Sequence, residues 1–134
     1  RTKQFISSLK IKCLGPTQSI ERLSGGNQQK TLFARWLDVG ASVWLLDEPT
    51  RGVDVESKLA IHRLLRELRD KGVALIIVSS EMDELTSLCD RILVMDNGRI
   101  VQQGHHSVLI QQQGVYKRLW ERQQAAQQLD AMAS

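Results

Sequence analysis

The length, composition and charge of the chain describe one ordinary folded domain. Its 134 residues carry 18 Lys and Arg against 15 Asp and Glu, a formal net charge of +3. This excess is too small and too dispersed to indicate a nucleic-acid-binding surface, so we expect no nucleic-acid partner. Apolar residues make up 42% of the chain, and the longest apolar run (residues 73–78) is far shorter than the roughly 20 residues that span a bilayer. Disordered, fibrous and membrane-spanning classes are thereby excluded.

The first 46 residues predict two helices and a strand. Apolar residues at helical spacing favour a short helix over about residues 2–10. Ser24 is a good N-cap, and the pattern after it predicts a second helix that ends near Gly40. Residues 42–46 form an apolar run without alternation, which is typical of a strand covered on both faces.

The rest of the chain continues the alternation of helices and strands. We predict a helix over about 55–71, a strand over 73–78, a helix over about 81–88, a hairpin over 91–101 and a helix from about 115. Leu59, Leu64, Leu65 and Leu68 are expected to line one face of the helix over 55–71. The last helix is expected to fray beyond Gln123 or to depend on a partner there. This order predicts an α/β fold with a mostly parallel sheet, flanking helices and an antiparallel edge hairpin.

The segment Leu23-Ser24-Gly25-Gly26-Asn27-Gln28-Gln29-Lys30 predicts an anion site. A serine and two glycines at a helix start present a hydroxyl and unpaired backbone amides with no side chain in the way. The helix dipole adds partial positive charge there, which favours a phosphate. Taken alone, the segment is better explained by an ordinary capped helix.

Two acids, Asp47 and Glu48, follow the apolar strand and precede Pro49. The carboxyl end of a buried strand is where open α/β sheets bind ligands. One acid can hold Mg²⁺ through water while the other reaches a nucleophilic water. A strand that ends in a polar turn before proline is the alternative for this motif alone.

In this order, the two motifs resemble the ATP-binding domain of ABC transporters. Residues 23–30 resemble the signature motif of that family, Val43 to Glu48 its Walker B strand, and Val53-Asp54 its D-loop. The resemblance covers about Lys3 to Gly104 and is closest to the sugar-import branch, particularly to the second ATP-binding half of a fused chain.

The resemblance implies an ATPase with ATP and Mg²⁺ as its nucleotide and metal. The residues expected to contact the γ-phosphate of ATP on an opposing domain, in a head-to-tail dimer, are Ser24, Gly25 and Gly26, with Gln28 in support. Asp47 would bind Mg²⁺ through water, Glu48 would act as general base, and Asp54 would link the two composite sites. The domain would power transmembrane permease subunits from the cytoplasmic face of the membrane.

Three departures from the family pattern qualify these expectations. No GxxxxGK[ST] loop is present, so we expect a carboxyl-side part of an ATP-binding domain that is inactive alone. Ser80 stands where the family has its switch histidine, which predicts slow hydrolysis. Gly98 to Gln123 is more similar to export-type members. Within this partial domain we expect a signature helical part (1–40), a Walker B strand to hairpin part (41–104) and carboxyl-terminal helices (105–134).

Two other hypotheses remain open from the sequence. A soluble ABC-type ATPase acting on nucleic acid or ribosomes shares both motifs, and salt-dependent binding of DNA or RNA would support it. A catalytically inert module, natural or engineered, would instead associate with itself through exposed apolar surface. Cys13 and Cys89 have no CxxC or metal-ligand spacing, so we expect reduced thiols, with a disulfide as the less favoured alternative.

Overall fold

The computed structural model describes residues 1–133, which form two compact units. The first unit, Arg1–Val78, contains α1 (Thr2–Ser8), a 3-10 turn (Ile20–Arg22), α2 (Gly25–Val39), β1 (Val43–Asp47), α3 (Val55–Asp70) and β2 (Ala74–Val78). The second unit begins at Ser79 and contains α4 (Met82–Leu88), β3 (Ile92–Asp96), β4 (Arg99–Gly104), α5 (His106–Leu109) and α6 (Val115–Ala133). The α/β class predicted from the sequence is confirmed.

Helix α3 has strong end signals and one apolar stripe. Asp54 caps its start, and Gly72, at φ 88°, closes its end by donating from its amide to the Arg69 carbonyl at 2.8 Å. Ile61, Leu65 and Leu68 are the buried apolar residues of the helix, spaced as one face requires. Leu59 is 51% exposed, so its predicted place on the packed face is wrong, because the buried stripe is centred on Ile61 and Leu65.

Strands β1 and β2 pair in parallel and are covered on one face only. Trp44 of β1 is buried and stacks on Phe33 of α2, with ring centroids 5.9 Å apart. The opposite face carries Val43, Leu45, Ile76 and Val78, each more than half exposed. The expectation that β1 is covered on both faces is therefore wrong, since the side chains of this face are exposed.

The second unit packs around a hairpin with a tight turn. Asn97 and Gly98 both have positive φ, 48° and 76°, as a type I′ turn between β3 and β4 requires. The hairpin is a two-stranded antiparallel sheet, and with the parallel pair β1–β2 it confirms the predicted combination of a parallel sheet and an antiparallel hairpin. The hydrophobic core of the second unit consists of Met82, Ile92, Val94, Leu109 and Tyr116.

Helix α6 extends further than the sequence predicts. It continues to Ala133, because glutamines beyond its aromatic anchors bond to α4 and the segment before it. Gln123 accepts from the Met82 amide at 2.6 Å and donates to the Ser80 carbonyl at 2.9 Å, and Gln127 donates to Asp83 at 2.9 Å. The prediction of fraying beyond Gln123 is therefore wrong. Within residues 1–133, no helix is long and apolar enough to cross a membrane.

The open apolar face of β1–β2 predicts self-association of the 134-residue chain. Register places Leu45 beside Ile76, so an oligomer would bury both. We expect the mass from light scattering to rise with concentration and Leu45→Lys to reduce that rise. Leu14→Lys is the matched control, because Leu14 is 98% exposed and lies outside the sheet. A concentration-independent monomer mass for the unsubstituted chain would contradict the prediction.

Candidate functional site

The start of α2 presents an exposed hydroxyl and free helix amides. Ser24 occupies the N-cap position in extended conformation, and its side chain does not cap the helix. Ser24 and Gly25 are exposed. The first amides of a helix have no intrahelical partner, so this 15-residue helix can receive an anion at its start.

Asn27 fixes the direction in which the Ser24 hydroxyl can donate. Its Oδ1 accepts from the Lys12 backbone amide at 2.9 Å, so its Nδ2 faces Ser24 and donates to the Ser24 Oγ at 2.8 Å. Because the Ser24 oxygen already accepts a bond from Asn27, its own hydrogen is available to an external acceptor. Gln28 steadies the approach to the helix by donating from Nε2 to the Leu23 carbonyl at 3.0 Å.

The two acids lie at the carboxyl end of β1 in different backbone conformations. Asp47 is the last residue of the strand and is exposed. Glu48 has φ 47°, a left-handed conformation that is unusual for a residue with a side chain. Its amide donates to the Val78 carbonyl at 2.8 Å, which ties the turn to β2. Such strain concentrates at functional sites. Because Glu48 lies in a left-handed turn, the direction of its side chain is set by that turn and not by the alternation of side chains along β1.

The start of α2 packs directly on the segment that follows these acids. A Cβ built on Gly26 would lie 2.6 Å from the Ser57 Cβ and 2.9 Å from the Asp54 Oδ2. Gln29 adds a hydrogen bond from its Nε2 to the buried Pro49 carbonyl at 2.9 Å. The first unit therefore brings together the predicted signature and D-loop residues. Gly26 is buried in this contact, and its predicted contact with a γ-phosphate stays a prediction.

Asp54 is held by Ser57 from two sides. The Ser57 amide donates to Oδ1 at 2.9 Å and the Ser57 hydroxyl donates to Oδ2 at 2.8 Å. These hydrogen bonds, the amide bond first, hold the pKa of the Asp54 carboxyl below its ordinary value of 3.8, and the charge of Lys30 contributes in the same direction. Asp54 is thus a structural cap of α3 here, and its predicted link across a dimer stays a prediction.

Ser80 lies in the second unit, in the exposed connection before α4. Its carbonyl accepts from the Gln123 side chain at 2.9 Å, so α6 holds the backbone of this segment. Ser79 uses its own hydroxyl to accept from the Glu81 amide at 3.0 Å. The segment is thus a defined turn fixed from both sides.

The donor set of the first unit fits a hydrated magnesium ion. Among the described residues, no group of three or more His, Cys, Asp or Glu side chains could form a closed metal site. An exposed carboxylate such as that of Asp47 suits Mg²⁺, which keeps several waters and takes one or two protein carboxylates. Asp47 is a carboxylate of this kind, and its role as the metal ligand stays a prediction.

Sequence reasoning missed Asn27, Gln29 and Ser57. All three are polar residues in the first or second turn of a helix, where such residues ordinarily face solvent or cap the helix. Asn27 and Ser57 are instead buried, at 7% and 5% exposure. Their contacts span up to 31 residues of sequence, and no local pattern indicates those partners.

Comparisons with known proteins relate the chain to ABC transporters. Residues 1–51 match the family described as ABC transporter. The chain is 50% identical over 95 residues to the ribose import ATP-binding protein RbsA of Chelativorans sp. (strain BNC1), covering 71% of this chain and 19% of that protein. It is 50% identical over 99 residues to the galactose/methyl galactoside import ATP-binding protein MglA of Escherichia coli (strain K12), covering 74% and 20%.

A solved structure shares the fold. A bacterial Atm1-family ABC exporter with ATP bound superposes with a TM-score of 0.80 at 25% identity, covering 91% of this chain and 23% of the exporter chain. The chain spans about a fifth of the length of the curated relatives it matches. The α/β arrangement is that of an ABC ATPase. The chain is thus similar to part of the ATP-binding proteins of ABC transporters.

The close approach of Gly26 predicts opposite outcomes for two neighbouring glycines. Gly26→Ala should lower the free energy of unfolding by about 1–3 kcal/mol, because the added Cβ overpacks Ser57. Gly25→Ala should change it by less than about 0.5 kcal/mol, since its Cβ would meet only the Gly52 carbonyl at 3.6 Å. Urea unfolding followed by circular dichroism measures both. The double variant Gly26→Ala/Ser57→Gly should recover part of the loss, and equal losses for the two alanines would contradict the packing.

The Ser57 hydrogen bonds predict a pH-dependent contribution to stability. The folded pKa of Asp54 is lowered, so its contribution is complete above the ordinary value of 3.8 and is lost as the pH falls through the lower folded value. Ser57→Ala removes the hydroxyl donor and keeps the amide, so the Asp54 pKa should rise toward 3.8. Carboxyl ¹³C NMR titration measures it, with Asp83 as an internal reference. An unchanged Asp54 titration in Ser57→Ala would show that the hydroxyl bond is unimportant.

Proposed function

We propose that the chain acts in the ATP-binding and ATP-hydrolysing part of an ABC transporter that imports a sugar. Support comes from relatives named for ribose and galactoside import at about 50% identity, against 25% for the exporter. The transported sugar and the permease subunits would be specified by other parts of the assembly.

The exposed start of α2 supports a role in binding the γ-phosphate of an ATP held by an opposing domain. The observation that carries the proposal is the orientation of Ser24, whose oxygen accepts from Asn27 and whose hydrogen can therefore donate outward. Exposed Gly25 allows a phosphate to reach the first helix amides without a side chain in the way. Gln28 holds Leu23 and so the entry to the helix. The partner would be a second ATP-binding domain in head-to-tail orientation.

The acids after β1 support a role in hydrolysis. Asp47 would hold Mg²⁺, and the bound ion would neutralise negative charge on the phosphate groups. Glu48 would position the attacking water and accept its proton as general base. The left-handed turn at Glu48, tied to Val78 by the backbone amide, fixes the backbone that carries this carboxylate relative to β1 and β2.

Asp54 and Ser80 complete the proposed roles. Asp54 lies beside the start of α2. A movement of the segment that runs from the two acids to Asp54 could therefore reach the signature residues and, through them, the partner domain of a dimer. Ser80 takes the place of the switch histidine, and a hydroxyl cannot carry positive charge to a γ-phosphate. We therefore propose slow hydrolysis for the site that contains Glu48. Attachment to permease subunits would place the domain at the cytoplasmic face of the membrane.

Association with a nucleotide-loaded partner tests the proposal. The partner is an ATP-binding domain of the same family that has a GxxxxGK[ST] loop, immobilised with ATP and Mg²⁺. We expect the 134-residue chain to bind it only when ATP is present. Ser24→Ala should weaken binding about tenfold, because one hydrogen bond to a charged group is lost. Biolayer interferometry measures the Kd.

Ser19→Ala is the matched control, since Ser19 is also an exposed N-cap without a side-chain cap bond but precedes the 3-10 turn. ATP-independent binding, or equal losses for the two alanines, would refute a signature role for Ser24. The same mixtures report phosphate release. The chain alone should turn over no ATP, and turnover that disappears in Glu48→Gln would show that it needs no partner.

A further inference from the structure

A cavity lies between three helices of the first unit, α1, α2 and α3. Its volume is about 210 Å³, and it is lined by the end of α1, by Lys30 of α2 and by one face of α3. Lys30 lies one turn beyond Gly26 on the same face of α2. The cavity is therefore distinct from the exposed start of that helix. The apolar part of its wall includes Leu9, Ile61 and Leu64.

The charged groups of this cavity are mainly cations. Lys10, Lys30 and Arg63 line it together with one acid, Glu67. Lys30 is only 7% exposed, and within the part of the chain that the structure describes none of the three cations forms an ion pair. Asp54, on which Lys30 acts at longer range, has both carboxylate oxygens held by Ser57. The ammonium group of Lys30 therefore adds positive charge to the cavity that no carboxylate neutralises, and an anion in the cavity would supply the missing counter-charge.

Lys10 adopts an unfavourable backbone conformation at the end of α1. The amides of Lys10 and Ile11 donate to the carbonyls of Ser7 and Ile6, at 3.2 and 2.9 Å, which is the pattern that ends a helix with a left-handed residue. Lys10 has φ 50° at this position, where glycine is ordinarily preferred. The chain thus accepts backbone strain and carries a cation at the cavity.

We infer that this cavity binds a small phosphate-type oxyanion, with Lys30 at its inner end and Lys10 and Arg63 at its mouth. The exposure of the three residues gives this order, because Lys10 and Arg63 are exposed and Lys30 is buried. Three cations and one acid leave a local charge of +2, which matches a doubly charged ion. The guanidinium group of Arg63 can bind two oxygens at once.

The size of the cavity selects among phosphate sources. Pockets that hold drug-sized ligands have volumes of about 300–1,000 Å³, so 210 Å³ suits an inorganic ion with its water better than a whole nucleotide. The apolar walls lower the local dielectric constant and strengthen the attraction. This site does not rest on the proposed ATPase function.

Titration of the 134-residue chain with sodium phosphate tests the site. For a Kd near 1 mM, about 20 mM phosphate should raise the midpoint of thermal unfolding by about 5 °C relative to sodium chloride at equal ionic strength. Isothermal titration calorimetry measures the Kd directly. Lys30→Gln should abolish both signals. Lys71→Gln is the matched control, because it removes the same charge from an exposed position at the end of α3, outside the cavity.

Lys10→Gly separates ligand binding from folding. Without phosphate its midpoint should rise by a few degrees, because glycine adopts the left-handed conformation without strain, whereas its phosphate-induced shift should fall. Equal phosphate shifts in Lys30→Gln and Lys71→Gln, or no shift beyond that of chloride, would overturn the site. Binding of ADP alone, lost in Lys30→Gln, would also overturn it in favour of a nucleotide.

Discussion

The close contact of Gly26 with Ser57 is the constraint on which the first unit depends. A helix start can approach another helix this closely only where it has no Cβ, so the glycine decides how α2 and α3 meet. The same contact separates two roles within one short motif. Gly26 is buried by the packing against Ser57, whereas Ser24 and Gly25 are exposed. Packing and ligand access are thus divided between adjacent residues.

Local signals in the sequence predicted most helix ends and the hairpin turn. Ser24, Gly72 and the Asn97-Gly98 pair act through their own backbone preferences, so neighbouring residues suffice to interpret them. Burial was harder to predict, because an apolar run such as β1 has the same pattern whether one or both of its faces are covered. The extension of α6 depends on glutamines that bond to residues more than 40 positions away, which no periodicity encodes.

The candidate site divides in the same way between local and distant causes. Ser24, Asp47 and Glu48 were predicted because their chemistry is evident from residue type and order. Asn27 was not, because its effect depends on the Lys12 amide, which fixes the amide orientation of its side chain. A hydrogen bond 15 residues away along the chain therefore determines whether the Ser24 hydroxyl can donate to a ligand. Motif residues identify a site, whereas their buried neighbours determine its donor directions.

Total charge conceals how the first unit distributes its ionic groups. The net charge of +3 suggests little, yet Asp47 at the end of β1, Glu48 and Asp54 lie within eight positions of one another. The cations Lys10, Lys30 and Arg63 meet instead at one cavity beside α2. Lys30 lies near enough to Asp54 to stabilise its charge but not to pair with it, so a mobile anion can compete for the ammonium group without breaking a salt bridge.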